Sequence, residues 1–325
     1  MSSHYQIPIT RAQFEDAASV VREHARHTPL HRSRMLSERS GYDVHLKAEI
    51  FQRTGSYKLR GPLNKLRFLT EDQRRRGVVC SSAGNHAQGL ALAAAIHGIP
   101  AVVVMAANAT PSKIEATRGY GAEVVLHGSI WDEADAHARQ LVTERGMTYV
   151  HPFDDLELIA GQGTLGMEIL DDLTSTGTVI VPIGGGGLIS GVAMAVKSRD
   201  PSIKVIGVES SGAPGMRDSV AAGKVVELDR VDCIIDGLRV KRVGTINREV
   251  VSQFVDEIVT LPDSDIFDAV MWTMHYCKLV VEGAAASSVA ALLHGLVHAD
   301  RSRPVVAVLT GGNVNLQQLA GLKWN

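Results

Sequence analysis

Cysteine is scarce in this chain, and neither sign of charge dominates it. Three cysteines, Cys80, Cys233 and Cys277, stand far apart in 325 residues. An odd, scattered set excludes a disulfide framework and a CxxC metal site. It leaves buried or neutral thiols, for which the cytoplasm is the simplest compartment. Lys and Arg number 33 against 35 Asp and Glu, a net charge of -2. Nothing in that balance calls for nucleic acid or an anionic membrane as partner. No apolar run reaches the length of a membrane span. The opening Met1-Ser2-Ser3-His4-Tyr5-Gln6 lacks the basic-then-apolar pattern of a signal peptide. HExxH, a close Cys/His cluster and GxSxG are all missing, so the 13 histidines suggest no metal site and no serine-hydrolase elbow is present. Low-complexity segments and short-period repeats are absent as well.

What remains is a globular composition, 45% hydrophobic and 21% charged, in a chain long enough for two lobes. Its dominant pattern is strand, glycine-bearing loop, helix. Strands are expected at Val44–Ala48, Gly77–Ser81, Ala101–Met105, Ala122–Leu126, Thr178–Ile183, Lys204–Val208 and Pro304–Leu309. Helices are expected over Lys58–Leu69, where Pro62 is tolerable only near the first turn, and over Asn85–His97, ended by Gly98. Another opens at Pro111, and further ones cover Trp131–Arg145 and Leu188–Lys197. Continuous Val/Ile runs alternating with helices predict an α/β fold of mostly parallel sheets covered on both faces. Ligands in such folds sit at the carboxyl ends of strands. Residues 77–149 form a compact series and are expected as a small lobe, with 1–76 and 150–325 as the large one. The sequence runs only a short way past the last strand, and no added regulatory domain is expected within it.

Four segments at those strand ends carry chemistry. Lys58, in Ser56-Tyr57-Lys58-Leu59-Arg60-Gly61, is a candidate amine nucleophile if burial and nearby cations lower its pKa. Taken alone it is equally a solvated lysine at a helix start. Gly184, Gly185, Gly186 and Gly187 follow an apolar strand and let backbone N–H groups close on a phosphate. No Lys-Ser/Thr follows them and the spacing is not GxGxxG, which argues against a nucleotide P-loop and a dinucleotide. Ser82-Ala83-Gly84-Asn85-His86 joins a strand to a helix, where N–H groups suit a carboxylate, although a simple helix cap explains it too. Thr310-Gly311-Gly312-Asn313 puts a hydroxyl at a strand end, where a capped turn is the plainer reading. Glu282 reads as a favourable first-turn acid. Together the lysine and the glycines match pyridoxal phosphate, which offers an aldehyde to one and a phosphate to the other.

The chain resembles the serine/threonine dehydratase and serine racemase branch of the tryptophan-synthase-β superfamily, the fold type II pyridoxal-phosphate enzymes. The matching segments are Phe51 to Gly61, Ser82 to Gly89, Ile159 to Thr164, Gly184 to Leu188, Glu282-Gly283-Ala284 and Gly311-Gly312-Asn313, in family order along nearly the whole chain. The resemblance implies a two-lobed fold in which Lys58 holds the cofactor as an imine. Tyr57 stands beside its ring where the family usually has Phe. Asn85 bonds the ring hydroxyl, the four glycines hold the phosphate, and Thr310 replaces a usual Ser facing the pyridine nitrogen. Ser82, Ala83, Gly84, Asn85 and His86 form the substrate-carboxylate loop. A homodimer or homotetramer is also implied.

Two departures sharpen this. Racemases of the branch carry a serine where Ala83 stands, so elimination is expected rather than racemisation. Of the family's cation site, Glu209 and Ala213 match but Gly215 replaces the later acid. That puts a divalent ion in doubt, and no metal residue is assigned. The expected activity is an ammonia-lyase that removes water from a 3-hydroxy-L-amino acid, by default L-threonine or L-serine, giving a 2-oxo acid and ammonium. Alternatives are a specialised dehydratase of 3-phenylserine, 3-hydroxyaspartate or a hydroxyectoine-derived acid, a serine racemase, a β-replacement synthase, and an amino-acid-binding protein without catalysis. Ile234 to Arg239 and the helix near Trp131 are the segments expected to shape the substrate pocket.

Overall fold

Residues 8–314 are described by the computed structural model; Met1 to Gln6 lie outside them. Two sheets organise the chain. The strands are β1 (Leu30–Arg32), β2 (Val44–Ala48), β3 (Val78–Ser81), β4 (Ala101–Met105), β5 (Glu123–Leu126), β6 (Thr148–Tyr149), β7 (Thr178–Pro182), β8 (Lys204–Ser210), β9 (Glu257–Leu261) and β10 (Val305–Leu309). One sheet has the order β1-β2-β10-β7-β8-β9, the other β5-β4-β3-β6. All pairings are parallel except the edge pair β1–β2. Every residue of β3, β4, β7 and β10 is buried. That follows from their unbroken apolar runs, which need helices on both faces.

β10, last in sequence, enters between β2 and β7. Val305 pairs with Val44 on one side and Thr178 on the other. The ends of β2, β7 and β10 are thereby brought side by side, and the Lys58 segment, the glycine run and Thr310 each follow one of them.

Locally signalled helices fall where the sequence places them. Asn85–His97 ends at Gly98 with φ 66°, and Trp131–Arg145 ends at Gly146 with φ 64°. Left-handed closures of this kind suit glycine, which has no Cβ to clash. The expected continuous helix from Lys58 to Leu69 is instead a 3₁₀ turn, Tyr57–Leu59, followed by an α-helix, Arg60–Leu66. Its start is distorted by pairing to the end of β10, described below. Its end comes early because Thr70 caps a new helix, Glu71–Arg76, through a reciprocal capping box with Gln73.

Candidate active site

Lys58 is placed by contacts on three sides. Ser56 bridges to Gly311, and Tyr57 N donates to Thr310 O at 3.1 Å. Helix Asn85–His97 lies flush on the lysine backbone; a Cβ at Gly89 would come within 2.5 Å of Lys58 O. Below, Arg60 is fully buried and uses all five guanidinium hydrogens. Nε and Nη2 donate to Glu49 at 2.8 Å, Nη1 and Nη2 to Glu168 at 2.7 and 2.8 Å, and Nη1 to Thr164 Oγ1 at 3.2 Å. The lysine amine donates to Pro152 O at 2.9 Å and stands 5.3 Å from the Tyr57 ring centroid. Burial pulls its pKa down to about 8, against the opposing pull of the Glu282 charge. At that value roughly a tenth to a fifth of the amine is neutral near physiological pH, far more than for an ordinary lysine.

The glycine run is dictated by close packing. A Cβ at Gly184 would lie 2.4 Å from Gly237 O, and one at Gly185 would enter the Phe153 ring at 2.3 Å. At Gly187 it would meet Phe153 O at 2.8 Å. Gly186 has φ 98° and no space beside Met216 and Asn247. Helix Gly187–Arg199 starts directly behind, so its first N–H groups face the loop.

Across the cleft, Ser82 Oγ accepts from Gly84 N at 3.2 Å, and a Cβ at Gly84 would meet only open space. The Ala83 methyl carries no proton to give. Asn85 Nδ2 donates to both oxygens of Glu282, at 2.9 and 3.0 Å, while Asn85 Oδ1 accepts from Asn313 Nδ2 at 2.7 Å. His86 is buried and donates through Nε2 to Val150 O at 3.1 Å. Burial, then the Lys58 charge, depresses its pKa to about 3, so it is neutral.

Thr310 directly follows β10. It is 3% exposed, and among the described residues neither its Oγ1 nor Ser56 Oγ has a hydrogen-bond partner. An orphaned buried hydroxyl costs free energy that a ligand atom would recover. With a glycine loop that admits no side chain and a buried amine of lowered pKa, these residues fit pyridoxal phosphate. Lys58 would hold the aldehyde carbon, Gly184 to Gly187 the phosphate, Thr310 the ring nitrogen and Asn85 the ring oxygen, with Tyr57 alongside.

Several functional groups escape a reading by motif. Glu282 is not a first-turn acid serving its own helix. It occupies the N-cap position of Gly283–Leu293 without capping it and turns instead to Asn85. Burial raises its pKa to about 7. Pro152, Phe153 and Asn247 are brought in by tertiary contact alone, and no local pattern marks them. Of the segments expected to shape the pocket, Ile235, Asp236 and Gly237 line a cleft beside Glu282 together with Lys113, Phe267 and Val281. Trp131 is not among its lining residues; its indole donates to Ser81 O at 3.3 Å. Glu209 accepts from Met216 N at 2.7 Å and Arg217 N at 2.9 Å. No cluster of three or more His, Cys, Asp or Glu suited to a metal occurs among the described residues.

Known proteins match this chain over nearly its full length. The family described as "Pyridoxal-phosphate dependent enzyme" matches residues 21–311. An L-threonine ammonia-lyase of Thermotoga maritima is 44% identical over 311 residues, 96% of this chain and 77% of that protein. Among solved structures, maize serine racemase superposes with a TM-score of 0.91 at 33% identity, covering 96% of both chains. The processed form of threonine deaminase isoform 2 from Solanum lycopersicum gives 0.89 at 35%, covering 96% of this chain and 94% of that one.

Proposed function

Because the chain belongs to the family of pyridoxal-phosphate dependent enzymes, we propose that it is a carbon–nitrogen lyase that removes water and then ammonium from a 3-hydroxy-L-amino acid. L-threonine and L-serine are the first substrates to expect, in keeping with the 44% identical L-threonine ammonia-lyase. The observation that carries the reading is Lys58. Its amine is withdrawn from water, held at a pKa of about 8, and bonded to Pro152 O, next to the Phe153 ring that packs on the glycine loop. Bound cofactor supplies the electron sink that makes a Cα proton removable. The protein supplies the rest. Lys58 Nζ takes the Cα proton as general base. The backbone N–H groups of Ser82 to His86 orient the substrate carboxylate at a helix N-terminus. Water lost with the β-hydroxyl is returned when the C–N bond is hydrolysed, so the products are a 2-oxo acid and ammonium. Ala83 places a methyl where reprotonation from the second face would need a hydroxyl, which favours elimination over racemisation despite the likeness to a serine racemase.

Apolar side chains of Ile235, Phe267 and Val281 in the adjoining cleft favour, as a second reading, a bulkier substrate such as 3-phenylserine. We further propose that 77–149 acts as a small lobe against the remainder, that the protein is a homodimer or homotetramer, and that it works in the cytoplasm. Support for the last is the set of three free thiols, each with its pKa raised by burial. The deciding experiment is 2-oxo acid and ammonium release from cofactor-loaded protein with L- and D-serine, L-threonine, 3-phenylserine and 3-hydroxyaspartate. Release from L-threonine or L-serine is expected. Selective release from 3-phenylserine moves the assignment to the second reading, and racemised serine without oxo acid overturns both.

A further inference from the structure

The Lys58 amine donates to Pro152 O at 2.9 Å. That carbonyl sits in the turn His151-Pro152-Phe153-Asp154, which leads from β6 into helix Leu156–Asp172. His151 closes this turn from within. Its Nδ1 accepts from Phe153 N at 3.2 Å and from Asp154 N at 2.8 Å. A doubly accepting Nδ1 places the ring proton on Nε2. Burial also lowers the ring's pKa to about 4, which keeps it neutral.

The second half of the turn is also anchored from outside. The Phe153 ring packs on Gly185, and Phe153 O accepts from Asn247 Nδ2 at 2.9 Å. Asp154 takes Thr245 N and Ile246 N, each at 3.0 Å. Pro152 has a ring-fixed φ and no N–H of its own. Its carbonyl direction therefore depends on how the chain is gathered around His151 Nδ1. His151 and Phe153 also meet edge to face, with centroids 4.6 Å apart.

We propose that His151 is a positioning residue for Lys58. Its Nδ1 holds the Pro152 carbonyl where that oxygen takes one hydrogen of the free lysine amine, leaving the nitrogen lone pair aimed into the cleft. This rests on Lys58 being the reactive amine. A mere structural cap would stabilise the turn without affecting the amine's reactivity.

Two variants separate the possibilities. His151→Phe keeps an edge-on ring but removes the acceptor. His151→Asn restores an acceptor through an Asx-type turn. The first readout is the rate at which apoprotein forms its imine on adding pyridoxal phosphate, followed by the visible band; the amine displaces water from the aldehyde. His151→Phe is expected to slow this about tenfold and to lower kcat more than it raises KM, since small misplacements of a reacting group are costly. His151→Asn is expected within about threefold of wild type. A wild-type rate in His151→Phe, or no recovery in His151→Asn, overturns the proposal. Should His151→Phe fail to fold, the ¹⁵N shifts of His151 in wild-type apoprotein still decide: a protonated Nδ1 overturns it, an unprotonated one supports it. Lys58→Ala separates this proposal from the reading beneath it. If that variant still forms the imine band, the lysine assignment itself falls; if it does not, the His151 result stands on its own.

Discussion

Lys47 and Lys58 are near neighbours in sequence and both are drawn out of water, yet the structure treats them oppositely. Lys47 is fully buried and its ammonium pairs with Glu168 at 2.9 Å and Asp172 at 3.3 Å, and donates to Thr28 O at 2.8 Å. It belongs to the cluster in which Arg60 bridges Glu49 and Glu168. There the two cations balance the two glutamates, and Glu168 is held at a pKa of about 2 by Arg60 and Lys47 against its burial. Lys58 meets one carbonyl oxygen and no carboxylate at ion-pair distance among the described residues. A buried cation ringed by carboxylates has its donors committed to holding elements together. Lacking such a ring, the Lys58 amine gives up its proton more easily, which suits the nucleophile and base proposed for it. Both arrangements flank the same short segment, so the inert cluster anchors the reactive residue.

The sharpest way to break this contrast is Lys58→Ala. It should lower turnover at least about 10³-fold, since both the attachment point and the base disappear; near-native release of oxo acid would end the mechanism. Arg60→Met addresses the other side of the comparison. Leaving Glu49 and Glu168 without their shared partner should cost about 3–5 kcal/mol of stability, measured by denaturant unfolding of the apoprotein. A loss under about 1 kcal/mol would mean the cluster is no anchor.

A smaller effect lies in the pH dependence of apoprotein stability. Lys58 has a folded pKa of about 8, below its value in the unfolded chain. Between those two values the unfolded state binds more protons, so the lysine's contribution to stability rises with pH across that window. Below pH 8 both states are protonated and the full penalty of the buried charge is present. Lys58→Met should therefore stabilise the apoprotein near pH 7, and its advantage should shrink as pH climbs from about 8 toward 10. A constant difference across that range would show that the amine is not desolvated.

Much of this was legible from residue order. Helix Asn85–His97 and helix Trp131–Arg145 begin and end where expected because their stops, Gly98 and Gly146, are local. The parallel sheets followed from unbroken Val/Ile runs. Lys58, the glycine loop and Thr310 were recognisable by motif. The segment around Lys58 was less so: helix propensity from residue 58 to 69 was overridden by the bridge from Ser56 to Gly311 and by the capping box at Thr70. Glu282 was misread because its helix position suggested service to its own N-terminus, whereas its carboxylate faces Asn85, nearly two hundred residues earlier.

Sequence alone thus determined the class of fold and the cofactor chemistry and pointed to the lysine proposed as nucleophile, since strand composition, glycine runs and helix stops act over a few residues. Only the tertiary structure decided the surroundings of that lysine's amine. Desolvation of the Lys58 amine, its hydrogen bond to Pro152 O, the His151 acceptor behind that carbonyl and the approach of Glu282 all depend on groups from distant segments meeting in space. Charge and proton affinity respond to those neighbours in space, which residue order does not specify.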